Sequence, residues 1–318
     1  MTRIGHSELD VFPLALGGNV FGWTADRDES FAILDAFHAG GGNFIDTADS
    51  YSAWVDGHEG GESERIIGAW LADRRPDGVV VATKVSQHPQ FRGLGAANVR
   101  AAAEASLERL GVESIDLYYA HFDDPETPLE ETVAAFGQLV SDGLVRDTAV
   151  SNYSADRIRE WVRIARELGV PEPVAIQPHY NLVHRETETD IVPVAEEYGM
   201  SLVPYFALAK GFLTGKYRST DADADGHTSP RAEAAARYAT PQGLQILEVL
   251  ERVGDAHGVS MASAALAWLR AKPTVAAPIA SASKVSQVAD LLAGATTDLT
   301  ADEVAELDAV SEWTPADM

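Results

Sequence analysis

The chain has 318 residues, 46% of them hydrophobic, and carries 24 Lys and Arg against 49 Asp and Glu, a formal charge of -25. It is long enough to bury a large core in one domain, and its negative field repels phosphate backbones and anionic lipid, which argues against nucleic-acid binding. With no cysteine, disulfides, thiolate metal sites and cysteine nucleophiles are excluded.

In chain order, the opening MTRIGHSELD lacks the basic start and apolar stretch of a secretory signal, and no apolar run is long enough to span a bilayer. A cytoplasmic protein with no membrane contact is the expectation. The piece Arg3–Val11 reads as a small hairpin beneath the main fold. Eight short apolar runs then recur at intervals of roughly 30 residues, about one strand-loop-helix-loop unit. They are Pro13–Leu16, Asn43–Asp46, Val79–Lys84, Ile115–Tyr119, Asp147–Ser151, Val174–Pro178, Ser201–Tyr205 and Thr274–Ile279. Segments of helical period lie between them, for example Val99, Ala103, Leu107 and Leu110, or Ile158, Trp161, Val162 and Ala165.

The punctuation agrees with those periods. TPLE predicts Thr127 as N-cap, Pro128 at the first helical position and Glu130 completing a capping box, with Gly143 as the stop. Ser154 caps the next helix and Gly169 ends it; Thr240 starts another that runs toward Gly258. Ser219–Ala239, poor in large apolar residues and rich in Asp, Ala and Gly, reads as a mobile loop after the seventh strand. A last helix is capped by Thr300 and Glu303, and with the N-terminal hairpin it reads as a lid or plug. Eight βα units predict a single α/β domain over 1–318, a closed (β/α)8 TIM barrel, with an open doubly wound sheet as the alternative.

In such a barrel the C-terminal strand ends share one face, where active sites form. The residues at those ends are Gly17–Asn19, Asp46 with Tyr51, Lys84, His121, Ser151 with Asn152, Gln177, Tyr205 and the Ser281–Lys284 group. Asp and Ser are ordinary caps, but a Lys ending VVVATK and a His after DLYYA are not. An ammonium beside a phenol favours tyrosinate and is expected to lower the phenol pKa, a carboxylate holds that ammonium in place, and a histidine hydrogen-bonds the same carbonyl oxygen. On a chain this acidic, an anionic cofactor needs local cations, which draws attention to Lys84, Lys210, Lys216 and Lys284.

Five motifs, in order and on the predicted strand ends, resemble the aldo-keto reductase superfamily over essentially the whole chain. They are GGNFIDTADSY with Asp46 and Tyr51, VVVATK with Lys84, IDLYYAHFDDPETPLEETVAAFGQLVSDGLVRDTAVSNYS with His121, Ser151 and Asn152, IQPHYNL with Gln177, and PYFALAKGFLTGKY with Tyr205. The resemblance implies an NADPH-dependent reductase of small-molecule aldehydes or ketones, with Tyr51 as the acid and Asp46, Lys84 and His121 completing the catalytic set. It further implies that Ser151, Asn152 and Gln177 hold the nicotinamide carboxamide and that Tyr205 stacks on the ring. Ala207, Leu208, Lys210 and Gly211 would lie along the pyrophosphate. After the last strand, PIASASKVSQVADLL supplies Ser281, Ser283, Lys284, Gln287 and Asp290, but Leu291 stands where the family often has Asn, so adenine contacts differ here. Trp23 and Trp54, in loops after the first two strands, are candidate substrate walls.

Two other classes stay open on the sequence. One is a metal-dependent barrel hydrolase or isomerase using Asp46, Asp49, His121, Asp123, Asp124 and His179, which the neighbouring Lys84 disfavours. The other is a binding subunit that uses the same fold to sense nicotinamide with little turnover. The substrate's identity and the oligomeric state are not legible.

Overall fold

The computed structural model describes residues 1–219 and 230–312. Eight parallel strands form one sheet, in chain order Ala15–Gly17, Phe44–Asp46, Val80–Val85, Ile115–Ala120, Val145–Ser151, Ala175–Gln177, Ser201–Leu202 and Ile279–Ala280, the first seven each paired with its predecessor. The last strand also lies beside the first, with Ile279 opposite Ala15 and Ala280 opposite Leu16. Closure on the other side uses backbone just before it: Leu202 N–H donates to Thr274 O at 2.7 Å, Ala276 N–H to Leu202 O at 3.0 Å and Ile279 N–H to Pro204 O at 2.8 Å. The result is a (β/α)8 barrel. Of the predicted eighth run only its end is regular strand, because Pro278 lacks an N–H and interrupts the ladder.

The period of two along each strand separates two cores. Ala15, Phe44, Val80, Ala82, Leu117, Tyr119, Ala149, Ala175 and Val203 pack together inside the barrel. Their neighbours Leu16, Ile45, Val81, Tyr118, Val150, Ile176 and Leu202 face the helices in a separate cluster. The predicted hairpin exists as Thr2–Arg3 paired antiparallel with Asp10–Val11. Its Ile4, Leu9 and Val11 join the interior cluster, so it plugs the end of the barrel away from the strand C-termini.

The helix signals hold at most positions. Ser154 Oγ accepts from Arg157 N–H, Thr240 Oγ1 from Gly243 N–H, and Gly169 and Gly258 end their helices in the left-handed conformation at φ 67° and 66°. Thr127 does not cap. The helix Leu129–Ser141 has Pro128 at its N-cap with no side-chain cap bond, because Thr127 Oγ1 donates instead to Asp124 Oδ2 at 2.7 Å. Asp124 also accepts from Leu94 N–H and Glu126 N–H, so the turn before the helix is built on that carboxylate.

The final helix Ala301–Val310 has its capping box, Thr300 with Glu303, but packs on the outside of the barrel rather than forming a lid. Arg252 pairs there with Glu306, His257 with Glu303 at 3.0 Å, and Trp268 Nε1 donates to Asp308 at 2.9 Å. Residues 220–229 of the expected mobile loop lie outside the described residues. Its later part is not loop: Ala232–Ala236 is a short helix with Ala232, Ala235 and Ala236 buried, followed by Tyr238 against Phe212 at 6.0 Å. Alanine is small enough to bring that helix close, which a reading based on large apolar residues overlooks.

One contact between outer helices is set by the absence of a side chain. Gly68, on helix Glu62–Arg74, faces helix Ala96–Leu110 so closely that a Cβ there would sit 2.3 Å from Arg109 O and 2.8 Å from Leu110 O. Both obstacles are backbone and cannot rotate away. Gly68→Ala is therefore expected to cost about 1–3 kcal/mol through overpacking, measured as a lower thermal unfolding midpoint, and a midpoint equal to wild type would show that the two helices separate freely.

Candidate active site

The interior columns end in polar residues at the strand C-termini. Phe44 is followed inward by Asp46, Ala82 by Lys84, Tyr119 by His121, Ala149 by Ser151, Ala175 by Gln177 and Val203 by Tyr205. The same alternation that fills the barrel with apolar side chains thus delivers a ring of polar ones to its mouth.

Lys84 is fully buried, and its ammonium finds three acceptors: Asp46 Oδ2 at 2.7 Å, Thr47 O at 2.6 Å and Tyr51 OH at 3.2 Å. An ammonium has three hydrogens, so the set is complete. Burial alone lowers the Lys84 pKa; Asp46, with help from Tyr51, more than offsets this and holds its pKa above the usual lysine range. The Tyr51 phenol is pushed the other way from the sequence expectation. Burial raises its pKa above the ordinary value, and the opposing pull of Lys84 reduces that rise without reversing it. Neighbouring charge is visible in a sequence, but desolvation is not.

The loop carrying Tyr51 is pinned from several sides. Thr47 Oγ1 donates to Ser63 Oγ at 2.8 Å, which donates to Gly18 O at 2.8 Å, and Ser52 Oγ donates to Phe21 O at 2.9 Å. Ser52 itself has φ 71°, a left-handed conformation that is costly for a residue with a Cβ.

The other oxygen of Asp46 accepts from Gln177 Nε2 at 2.9 Å. Ser151 Oγ donates to Gln177 O at 2.9 Å, Asn152 Nδ2 donates to Ser151 Oγ at 3.0 Å and to His121 O at 2.8 Å, and Tyr205 OH donates to Asn152 Oδ1 at 2.9 Å. His121 lies 6.2 Å from Tyr51, ring to ring. Burial, aided by Lys84, drives its pKa well below the usual imidazole value, so the ring is neutral. Its Nδ1 has no partner among the described residues. Behind Tyr205, His179 stacks at 5.4 Å and is pushed by burial down to about 3, which makes it an uncharged backing.

These groups border one cavity of about 1060 Å³. Asp46, Tyr51, His121, Ser151, Asn152, Gln177 and Tyr205 line its centre, with Lys84 beneath. Ala207, Leu208, Lys210 and Gly211 line one side, where Lys210 and Gly211 at φ 58° and 103° bend the short helix Ala209–Thr214. Ser281, Ser283, Lys284, Gln287 and Asp290 line the far arm. There Gln287 Oε1 accepts from the Ser283 and Lys284 N–H groups at 2.8 and 3.2 Å, so it shapes the turn, and Ser281 Oγ donates to Asn19 Oδ1 at 2.7 Å. Trp23 and Trp54 are on the wall, 5.7 Å apart, with Trp54 6.1 Å from Tyr51.

Several neighbours were not predicted, and four of them stand out. Phe122 and Phe206 follow His121 and Tyr205 directly, so extending the strand-end register by one residue would have found them. Glu29 accepts from Val285 N–H at 2.5 Å beside Lys284, and Arg231 lies over Trp23. Neither carries a signal in its own segment.

Four of the six side chains considered for a metal are committed otherwise, while buried Asp49, held protonated by desolvation, and His121 Nδ1 have no hydrogen-bond partner among the described residues. Asp46 pairs with Lys84, Asp123 with Arg157 at 2.9 Å, Asp124 with its turn and His179 with its stack. Among the described residues no three such side chains are grouped to hold a cation, and no helix is long and apolar enough to cross a membrane.

The Aldo/keto reductase family model matches residues 13–312. The chain is 33% identical to a "Probable voltage-gated potassium channel subunit beta" of Oryza sativa subsp. japonica over 298 residues, 91% of this chain and 88% of that protein. It is 31% identical to "Aldo-keto reductase str7" of Strobilurus tenacellus over 320 residues, covering 98% and 89% of the two chains. To "Norsolorinic acid reductase B" of Aspergillus parasiticus it is 31% identical over 330 residues, covering 97% and 83%. A match that runs from the first barrel strand to the final helix leaves one conclusion: the chain belongs to the aldo/keto reductase family of oxidoreductases.

Proposed function

We propose that the protein is a cytoplasmic NADPH-dependent carbonyl reductase that converts an aldehyde or ketone to an alcohol, with Tyr51 as general acid. The observation that carries this reading is the saturated ammonium of Lys84, which holds both Asp46 and the Tyr51 hydroxyl at the floor of the cavity.

The residues present fit a bound nicotinamide dinucleotide. A flat ring matches the face of Tyr205, and an amide matches the donors and acceptors of Ser151, Asn152 and Gln177. The bend at Lys210 and Gly211 brings backbone close to a pyrophosphate. Ser281, Ser283 and Lys284, with Gln287 and Asp290 shaping the turn, offer hydroxyls and one cation to the adenosine end. When bound, the reduced nicotinamide supplies a hydride to the carbonyl carbon. Tyr51 gives its proton to the carbonyl oxygen, and Lys84 stabilises the resulting tyrosinate until solvent returns the proton. His121, neutral and with Nδ1 free of protein partners among the described residues, orients and polarises the same oxygen. Trp23 and Trp54 wall the substrate side.

A second reading is a binding subunit that holds nicotinamide and turns over little; that a relative is named as a channel subunit favours it. A panel of aldehydes and ketones followed by loss of NADPH absorbance separates the two. Steady multiple turnover supports the reductase, and one slow turnover with tight cofactor retention supports the sensor.

Tyr51→Phe removes only the transferable proton, so carbonyl reduction should fall by about 10²–10⁴-fold while cofactor binding, titrated by fluorescence, stays within a few-fold. Turnover near wild type would sink the assignment. Lys84→Met removes the larger of the two positive charges, Lys84 and Arg231, that pull the phenol pKa down against burial. The pKa should then rise further, so the alkaline limb of the reduction profile, where the acid is lost, moves to higher pH while the plateau falls. An unmoved limb with substantial activity would make Lys84 structural.

Cofactor choice should reside in Lys284, with Ser283 assisting and the carboxylate of Glu29, which the first helix holds against the same turn, opposing. A charge-assisted contact to a 2'-phosphate is worth about ten- to hundred-fold in affinity. Lys284→Ala should weaken NADPH by about that factor, leave NADH nearly untouched and flatten the salt dependence of NADPH binding. Equal weakening of both cofactors, measured by titration at low and high salt, would remove Lys284 from this role.

A further inference from the structure

Between Asp46 and Tyr51 the loop holds another titratable side chain, Asp49, for which hydride transfer has no use. Asp49 is fully buried. It lies within a turn closed by Tyr51 N–H, which donates to Ala48 O at 3.2 Å, and its own N–H donates to Lys84 O at 3.3 Å. Its backbone is therefore tied to the lysine that holds the phenol, inside the turn that carries the phenol. The carboxyl does not line the cavity. It lies instead among Glu64, Arg109 and Tyr118, each close enough to interact with it electrostatically.

The charges around Asp49 are already matched. Glu64, from the helix Glu62–Arg74, is fully buried and accepts from Arg109 Nε at 2.5 Å and from Thr83 Oγ1 at 2.6 Å. Lys84, from the third barrel strand, is paired with Asp46. His88, buried on the neighbouring strand Gln87–His88, is kept neutral by burial and by Arg109. Tyr118, on the fourth barrel strand, is a neutral phenol whose pKa burial drives well up. Each nearby cation thus has its own carboxylate, and Asp49 has none to spare for it. Neither Asp49 oxygen, nor the Tyr118 hydroxyl, has a hydrogen-bond partner among the described residues. A neutral carboxyl is tolerated in such a place, whereas an anion without partners is not. Burial, reinforced by Glu64, accordingly holds Asp49 well above the usual carboxylate range against the pull of Arg109 and Lys84. The covering loop is tight: a Cβ on Gly60 would lie 2.8 Å from His88 Nε2 and 3.1 Å from Asp49 O, and one on Gly61 2.4 Å from Arg109 Cδ. The carboxyl cannot reach water while the turn stays in place.

We propose, on the basis of the reductase reading above, that Asp49 is a positioning residue: its neutral carboxyl keeps the Ala48–Tyr51 turn seated with the phenol on Lys84, and its ionisation in alkali drives the side chain toward water and carries Tyr51 away from Lys84. Reduction then fails in alkali by displacement of the acid, before the phenol itself has lost its proton. Lys84 pulls both Asp49 and Tyr51 down, so the shift expected of Lys84→Met has the same sign for either group and does not tell them apart.

Asp49→Asn does. The amide keeps the shape of the acid and cannot ionise; Asp49→Ala cannot ionise either but leaves the space unfilled. For wild type and both variants, kcat for one aldehyde with NADPH is followed against pH, each profile read against its own plateau. Both variants should hold their activity further into alkali, with the limb displaced upward by about one pH unit or more, Ala from the lower plateau. A residue that only fills space changes the plateau and not the limb, and limbs that superimpose in wild type and Asp49→Asn overturn the proposal. Two measurements need no turnover. The folded chain keeps a proton on Asp49 that the unfolded chain releases above the ordinary carboxylate range, so wild-type stability falls as pH rises through that window and Asp49→Asn is spared the fall. The gap between their unfolding midpoints should widen from acid to alkali, and a constant gap overturns the neutral carboxyl. At matched alkaline pH, hydrogen-exchange protection of the 47–51 amides should be about tenfold or more weaker in wild type than in Asp49→Asn, and equal protection overturns the displacement. Reduction of no aldehyde by any form would count against the reductase reading, and these last two measurements would still decide the role of Asp49.

Discussion

The buried pair of Lys84 and Asp46 is the constraint on which the rest of the site depends. A fully buried ammonium is tolerable only if all of its hydrogens are satisfied and its charge is matched. Here the acceptors come from the second barrel strand and the loop after it, at 2.7, 2.6 and 3.2 Å. Because one acceptor is the Tyr51 hydroxyl, the requirement that protects the fold also fixes where the phenol points. Stability and the proton chemistry proposed for Tyr51 thus rest on the same three contacts.

From that pair the order spreads across the mouth. Asp46 holds Gln177, whose carbonyl receives Ser151, which receives Asn152, which receives Tyr205. Six side chains from five strands or their ends are linked without a gap, and each has its orientation set by a neighbour. Such a network has few alternative arrangements, because turning one amide would orphan two partners. The cavity floor is consequently rigid before anything binds, which is what precise placement of a carbonyl demands.

Much of this was legible because barrel geometry converts strand-end position into spatial position. Asp46, Lys84, His121, Ser151 and Gln177 stand at the ends of apolar runs, and all of them meet at one mouth. What escaped did so for physical reasons. The capping pattern at Thr127 was overridden by Asp124, a turn acceptor that local spacing does not weigh. The sign of the net shift at Tyr51 depends on burial, which exists only after folding. Arg231 reaches the wall from beyond the polar stretch after the seventh strand, and its helix is built from alanines, the residue type that announces a core least.

The hairpin plug places a condition on synthesis. Gly5 N–H donates to Ser201 Oγ at 2.8 Å, and at φ 50° its backbone lies so near Val174 O that a Cβ would come within 2.2 Å. The surface that receives the hairpin is therefore made by residues of the sixth and seventh units. As the polypeptide leaves the ribosome, the hairpin, with Ile4, Leu9 and Val11 still uncovered, has no seat until Ser201 has emerged. This hairpin, made before every strand of the barrel, is among the last parts to dock, and the stopper enters only when the staves are nearly complete.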